Sequence, residues 1–119
     1  MLTFEEAEVV LFELADELPQ EILKGLNCGI SLTYDAVYDV NGLCILGTYH
    51  YEPMGLGRYI TIHYGSILAV RGYMPPGAWR EELKRVLYHE LIHHLEHQAG
   101  DKSLEIQDKI DKARYLFGR

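Results

Sequence analysis

Cysteine and positive charge are both scarce in this chain of 119 residues. Its two cysteines, Cys28 and Cys44, stand in apolar, strand-like segments, and the 15 residues between them match no common paired zinc or redox motif. We interpret them as core thiols of a cytoplasmic protein. The 11 Lys and Arg are scattered and outnumbered by 18 Asp and Glu, which gives a formal net charge of −7. We therefore expect no nucleic-acid partner.

Long apolar runs are also missing, so we expect no membrane span and no membrane partner. The first segment, "MLTFEEAEVVLFELADELP", carries acidic residues throughout its apolar stretch and has no basic start, which is not the pattern of a secretory signal. A chain of this length can bury about two thirds of its unfolded surface as one domain, residues 1–119. No metal is needed merely to hold such a domain together, and no particular oligomeric state is predicted.

Hydrophobic periodicity predicts two helices, then three strands, then further helices. Residues 2–17 read as an amphipathic helix and residues 19–27 as a short second one. The strands are expected in "CGISLTY", "LCILGTYHY" and "RYITIHY", separated by turns at "DVNG" and "EPMGLG". Ser66 is expected to cap a short helix that runs to Val70. This order predicts an α+β fold, with N-terminal helices and one long helix packed on a small sheet of three to four strands.

The long helix is predicted over residues 78–98, after a break at "MPPG". Its apolar ridge repeats at every fourth position: Leu83, Leu87, Leu91 and Leu95. Ala99 and Gly100 provide a stop, after which Asp101 or Ser103 can cap a last helix running to about Tyr115.

The motif "HELIHH" lies on this long helix, at residues 89–94. His89 and His93 are about 40° apart on one face, with Cβ atoms about 6 Å apart, and they face away from the leucine ridge. Two neutral imidazoles and one further ligand can hold Zn²⁺ and leave a position for water. Glu90, between the two faces, could then act as the general base. The competing interpretation is a solvated helix face rich in His and Glu.

A third metal ligand is ambiguous in the sequence. Some zinc proteases place it six residues after the second histidine, but that position here is Ala99, which cannot ligate. Glu96 lies on the same face, although three ligands from one straight helix surround an ion poorly. We favour Glu105 on the following helix, with Asp108 as an orienting partner or the ligand itself. Asp101 is a further alternative, and compensation of the helix dipole would explain these first-turn acids without any metal.

The other histidines are weaker candidates. His50 and His63 are expected on a sheet surface, and His94 is expected at the surface or as a hydrogen-bond partner rather than a ligand.

The sequence resembles the minimal zincins, small bacterial zinc-dependent metallopeptidase-like proteins, over nearly its whole length. The segments that carry the resemblance are "DELPQEILKGLN", "CGISLTY", "ILGTYHYE", "GRYITIHYGSI" and "EELKRVLYHELIHHLEHQAGDKSLEIQD". It implies a compact zincin core, zinc at His89 and His93, Glu90 as base, and a third acidic ligand beyond the helix. Better-known members have that acid near the end of the motif helix, where this chain has Ala99 and continues with "GDKSLEIQD".

These observations lead to a first hypothesis of a zinc hydrolase, most plausibly a metallopeptidase acting on short or unfolded peptides, with one Zn²⁺ per chain. A substrate strand is expected to add to an open sheet edge along "RYITIHY". The alternative is a non-catalytic zinc-binding module with a closed four-ligand site. A third hypothesis is a metal-free interaction domain in which His94 and His97 are simply exposed.

Overall fold

The computed structural model describes residues 2–27 and 29–98. The elements in chain order are α1 Phe4–Asp16, α2 Gln20–Leu23, β1 Ile30–Thr33, β2 Val37–Tyr38, β3 Cys44–Ile45, β4 Gly47–Glu52, β5 Gly57–His63, α3 Tyr64–Arg71 and α4 Pro76–Gln98. The α+β prediction is confirmed. The predicted last helix, with Asp101, Glu105 and Asp108, lies outside the described residues. Within them, no helix combines the length and the hydropathy that crossing a lipid bilayer requires.

The first helix begins at a capping box. The Thr3 side chain accepts a hydrogen bond from the Glu6 backbone N–H, and the Glu6 carboxylate accepts one from the Thr3 N–H. Two N–H groups that would otherwise lack an intrahelical partner are thereby satisfied. This first helix starts two residues later than the periodicity predicts. The short second helix is followed by Gly25, which has a positive φ of 91°.

A mixed sheet in the order β1-β5-β4 forms one layer of the protein. Strand β1 runs parallel to β5, with Ile30 opposite Ile60, and β4 runs antiparallel to it, with Tyr49 also opposite Ile60. Hydrogen bonds therefore occupy both sides of β5. The expectation that "RYITIHY" forms an open edge is wrong, because this segment is the central strand, and within the described residues β4 pairs with β5 alone.

The second predicted strand is divided between two sheets. Its first part, β3, pairs with β2 in a separate antiparallel ribbon, whereas its second part, β4, joins the main sheet. Helix α3 contacts this ribbon: the Ser66 hydroxyl accepts a hydrogen bond of 2.8 Å from the Val37 N–H, and the Cys44 Sγ lies 3.6 Å from the Ser66 carbonyl oxygen. Cys44 is half-buried rather than in the core, and Cys28 lies outside the described residues.

Two helix starts also differ from the sequence prediction. Helix α3 begins at Tyr64, so Ser66 is a buried residue inside the helix and not its cap. Helix α4 begins at Pro76, two residues earlier than predicted. Proline is tolerated in the first turn of a helix because the N–H that it lacks would have no partner within the helix there.

The core lies between the sheet and the helices α1 and α4. The leucine ridge of α4 is fully buried, as predicted, together with Trp79. Ile60 and Ile62 of the central strand face it from the sheet, and Leu11 and Leu14 face it from α1. With one side of α4 fixed in this way, the opposite side, which carries His89 and His93, is left toward solvent.

Candidate metal site

His89 and His93 present their imidazoles side by side on the exposed face of α4. Their Nε2 atoms are 3.1 Å apart, and the two rings are nearly perpendicular, with centroids 4.6 Å apart. Two nitrogen ligands of a tetrahedral zinc ion, each about 2.0–2.1 Å from the metal, lie about 3.3 Å from one another. The 3.1 Å spacing is close to that of two nitrogen ligands on one zinc ion, and it is also a hydrogen-bonding distance between the two rings.

Glu90 is buried beside this pair, with 7% of its surface exposed. Its carboxylate accepts a hydrogen bond from the backbone N–H of Tyr49 on strand β4. Burial raises the pKa of Glu90 above its usual range, while the neighbouring His89 and His93 and the Tyr49 hydrogen bond offset part of that effect. A carboxylate with a raised pKa is a better proton acceptor than an exposed one.

A depression of about 250 Å³ lies between His89, Glu90 and the start of strand β4. It is lined by Leu46, Gly47, Arg85, Val86, His89 and Glu90. A Cβ atom on Gly47 would lie 2.8 Å from the Val86 Cγ1 and 3.2 Å from the Glu90 Cγ. Glycine at this position therefore lets the strand approach α4 beside the Glu90 side chain. Sequence reasoning missed Gly47, although a glycine inside a strand pattern often marks such a close approach.

Within residues 2–27 and 29–98, no group of three or more His, Cys, Asp or Glu side chains is arranged to hold a metal ion. Glu96 lies 3.8 Å from the Nδ1 atom of His93, the ring nitrogen that does not face His89. This position suits a carboxylate that orients the imidazole better than it suits a third ligand. Glu105, Asp108 and Asp101 lie outside the described residues, so the third ligand stays a prediction.

His94, next to the pair, has a different environment. It is fully buried, with its Nδ1 atom 3.0 Å from the Tyr49 hydroxyl and its Nε2 atom 2.9 Å from the Lys24 carbonyl oxygen. Burial lowers its pKa, so the neutral ring is favoured. The expectation of an exposed His94 in a metal-free module is wrong, and its role as a hydrogen-bond partner is confirmed. His97 is exposed, as expected, with its ring 4.5 Å from that of Tyr51.

The two strand histidines lie on the sheet face that points away from α4. His63 is held between two hydroxyls, with Thr33 Oγ1 2.9 Å from its Nδ1 and Thr48 Oγ1 2.8 Å from its Nε2. His50 stacks on Tyr59 at 4.2 Å. Both lie on strands, as predicted, but the expectation of a surface position is wrong for His63, which is buried. Neither contacts the His89–His93 pair.

Arg85 is a second residue of the site that sequence reasoning missed. It precedes His89 by one helical turn and is fixed by the buried carboxylate of Glu82, with Nη2–Oε2 2.7 Å and Nε–Oε1 3.0 Å. Arg71 of α3 reaches the same carboxylate at 3.5 Å. The regular spacing of 85, 89 and 93 was the available signal, because residues four apart share a helix face.

Among solved structures, the protein is similar to a conserved hypothetical protein from Thermus thermophilus. The two superpose with a TM-score of 0.70 and are 32% identical, over 83% of this chain and 99% of the other. The chain belongs to the same family as that protein. No protein-family model matches the chain, and no curated protein does. The description of the Thermus protein states no activity, so function has to be argued from the site.

Proposed function

We propose that the protein is a zinc-dependent hydrolase with a zincin-like fold, a metallopeptidase that acts on short or unfolded peptides. The observation that carries the proposal is the convergence of the His89 and His93 Nε2 atoms, 3.1 Å apart, beside the buried carboxylate of Glu90. A solvated helix face explains exposed histidines, but it does not explain a buried carboxylate, bonded to strand β4, that lines one depression with His89.

His89 and His93 would hold the zinc ion as neutral imidazoles, with Glu96 beside the outer nitrogen of His93. When bound, zinc polarises a carbonyl group and lowers the pKa of water to about 7. Glu90 accepts the proton of the attacking water and passes it to the departing amine, for which its raised pKa suits it. The Tyr49 N–H fixes the carboxylate while this proton is transferred.

A peptide substrate is supported by the position of strand β4. This strand contributes Gly47 to the depression and the Tyr49 N–H to Glu90, and among the described strands it pairs with β5 alone. An extended peptide could add beside it through main-chain hydrogen bonds. The strand proposed to bind the substrate is therefore β4, and not the central strand β5 that was expected from the sequence.

The third ligand is proposed to be Glu105, with Asp108 as the alternative or orienting acid. Both follow Ala99 and Gly100, the predicted stop of the long helix, in the sequence. With two histidines alone the site would bind zinc weakly, so the identity of this acid decides how well the metal is held.

The proposal is tested by assaying the zinc-loaded protein against a mixture of short peptides, with Glu90→Gln, His89→Ala and Glu105→Ala as variants. We expect turnover in the wild type, loss of turnover with zinc retained in Glu90→Gln, and loss of both in the other two. His97→Ala, an exposed histidine on the same helix, is the matched control and should retain zinc and activity. Zinc binding with no turnover of any peptide would favour the non-catalytic zinc module, and normal turnover by Glu90→Gln would refute the assignment of the base.

A further inference from the structure

Basic side chains outnumber acidic ones by three to two in a depression beside the proposed catalytic one, although the chain as a whole carries a formal charge of −7. A second depression, of about 420 Å³, is bordered by Arg71, Lys84 and Arg85 together with Glu81 and Glu82. Arg85 borders both depressions. Among the described residues that line the depression containing His89 and Glu90, it is the one Lys or Arg.

Two arginines share a single buried carboxylate in this cluster. Glu82 is 5% exposed, whereas the side chains of Arg71 and Arg85 are 50% and 61% exposed. Since one negative charge faces two positive ones, one positive charge remains uncompensated within the trio. The bonds from Arg85 to Glu82 use its Nε and Nη2 atoms, and a guanidinium carries five N–H donors in a planar fork. Arg85 is thus fixed in position and still able to bind a second carboxylate.

The distance between Arg85 and His89 along the helix suits a substrate bound at the histidines. Arg85 precedes His89 by one turn, a rise of about 6 Å along the axis. An extended peptide advances about 3.3 Å per residue. A peptide whose scissile carbonyl lies at His89 and His93 would therefore bring the group one or two residues away within reach of the Arg85 guanidinium.

We propose that Arg85, held in place by Glu82, is a carboxylate-binding subsite and that the preferred substrates carry a carboxylate one or two residues from the cleaved bond. The carboxylate could belong to an Asp or Glu side chain or to a free C-terminus. The hydrolytic consequence rests on the proposed function, whereas carboxylate binding at Arg85 does not.

The subsite is tested with capped alanine-based peptides that carry one Glu or one Gln at successive positions. The wild type should prefer the Glu peptide by about 10- to 100-fold in kcat/KM at one position, the range expected for a charge-assisted hydrogen-bonded pair. Arg85→Gln should reduce that preference to within about twofold, and Arg85→Lys should restore part of it. Arg80→Gln is the matched control, because Arg80 lies on the same helix and binds Glu13 and Glu17 instead. It should keep the full preference.

The two sources of the carboxylate are separated by the peptide ends. Peptides without acidic side chains are compared as free acids and as amides. A preference for the free acid that Arg85→Gln removes identifies a C-terminal carboxylate, and a preference confined to internal Glu identifies a side chain.

A direct binding measurement separates this inference from the proposed function. The same Glu and Gln peptides are titrated into zinc-loaded Glu90→Gln protein, with and without Arg85→Gln, by calorimetry. Tighter binding of the Glu peptide that depends on Arg85 supports the subsite even if no peptide is ever cleaved. Equal binding of the Glu and Gln peptides, or a preference that Arg85→Gln leaves intact, would overturn the subsite even if the wild type hydrolyses peptides.

Discussion

Two adjacent histidines on the same helix, His93 and His94, have opposite environments. His94 is fully buried, and both of its ring nitrogens contact protein groups, the Tyr49 hydroxyl and the Lys24 carbonyl oxygen. His93 is exposed, and its Nε2 atom faces the Nε2 of His89 at 3.1 Å. One imidazole joins α4 to strand β4 and to the end of α2, whereas the other lies at the surface, where we propose that it binds zinc.

The same contrast separates the arginines of α4. Arg80 has its guanidinium on two exposed carboxylates, Glu13 of α1 and Glu17 just after it, an arrangement that needs no further partner. Arg85 shares one buried carboxylate with a second arginine. In both comparisons, the residue type does not indicate the role. For the histidines, what differs is whether protein groups already occupy the ring nitrogens. For the arginines, what differs is whether neighbouring carboxylates balance the positive charge.

The largest expected effect is at Glu90. Glu90→Gln removes the proton acceptor but keeps the shape and the room beside Gly47, so we expect kcat to fall by about 10²- to 10⁴-fold with zinc content unchanged. Steady-state kinetics on the zinc-loaded variant measure this fall in kcat. Glu13→Gln, which changes an exposed carboxylate of α1, is the control and should stay within about twofold of the wild type. A Glu90→Gln enzyme with undiminished kcat would contradict the assigned role.

The comparison between the neighbouring histidines is sharpened by substituting each with alanine. His94→Ala removes a fully buried ring, with its hydrogen bonds to the Tyr49 hydroxyl and the Lys24 carbonyl, and leaves a cavity, so the free energy of unfolding should fall by about 2–3 kcal/mol. His93→Ala, at an exposed position, should change it by no more than about 0.5 kcal/mol in the absence of zinc. Urea unfolding of the metal-free proteins measures both values. Equal losses of unfolding free energy in the two variants would contradict the different roles assigned to His93 and His94.

Zinc should stabilise the folded protein through the exposed pair. At a free zinc concentration about 100 times the Kd, binding adds about 2.7 kcal/mol to the free energy of unfolding. The melting temperature should therefore rise with zinc and return to its starting value with a chelator, as scanning calorimetry would record. His89→Ala should not respond. A zinc-dependent rise in melting temperature that persists in His89→Ala would show that zinc binds at another site.

The smallest expected effect concerns a buried histidine on the other face of the sheet. Burial and the neighbouring His50 lower the pKa of His63, and Asp35 opposes them in part. Because the folded state disfavours its protonation, the stability that neutral His63 contributes is present above about pH 6.5 and is lost as the pH falls below it. The difference in the free energy of unfolding between the wild type and His63→Gln should therefore shrink from pH 7.5 to pH 5.5. A constant difference would show that the ring titrates alike in both states.

The sequence predicted the part of the site that depends on helical spacing. The leucine ridge of α4 and the His89–His93 pair both follow from a period of 3.6 residues, and the structure has them on opposite sides of one helix. The sheet was predicted less well. "LCILGTYHY" reads as one strand, but its two halves pair with different partners, and the parallel pairing of β1 with β5 joins segments about 30 residues apart. Periodicity carries no information about such pairings, so it could not identify β4 as the strand beside the site.

The measurement that tests the account most directly is the zinc content of the purified, untagged protein and of His89→Ala, His93→Ala and His97→Ala. All three positions are exposed and lie four residues apart on α4. The account predicts about one zinc per chain in the wild type and in His97→Ala, and none in the other two variants. No zinc in any sample after incubation with zinc, or equal zinc in all four, would contradict it.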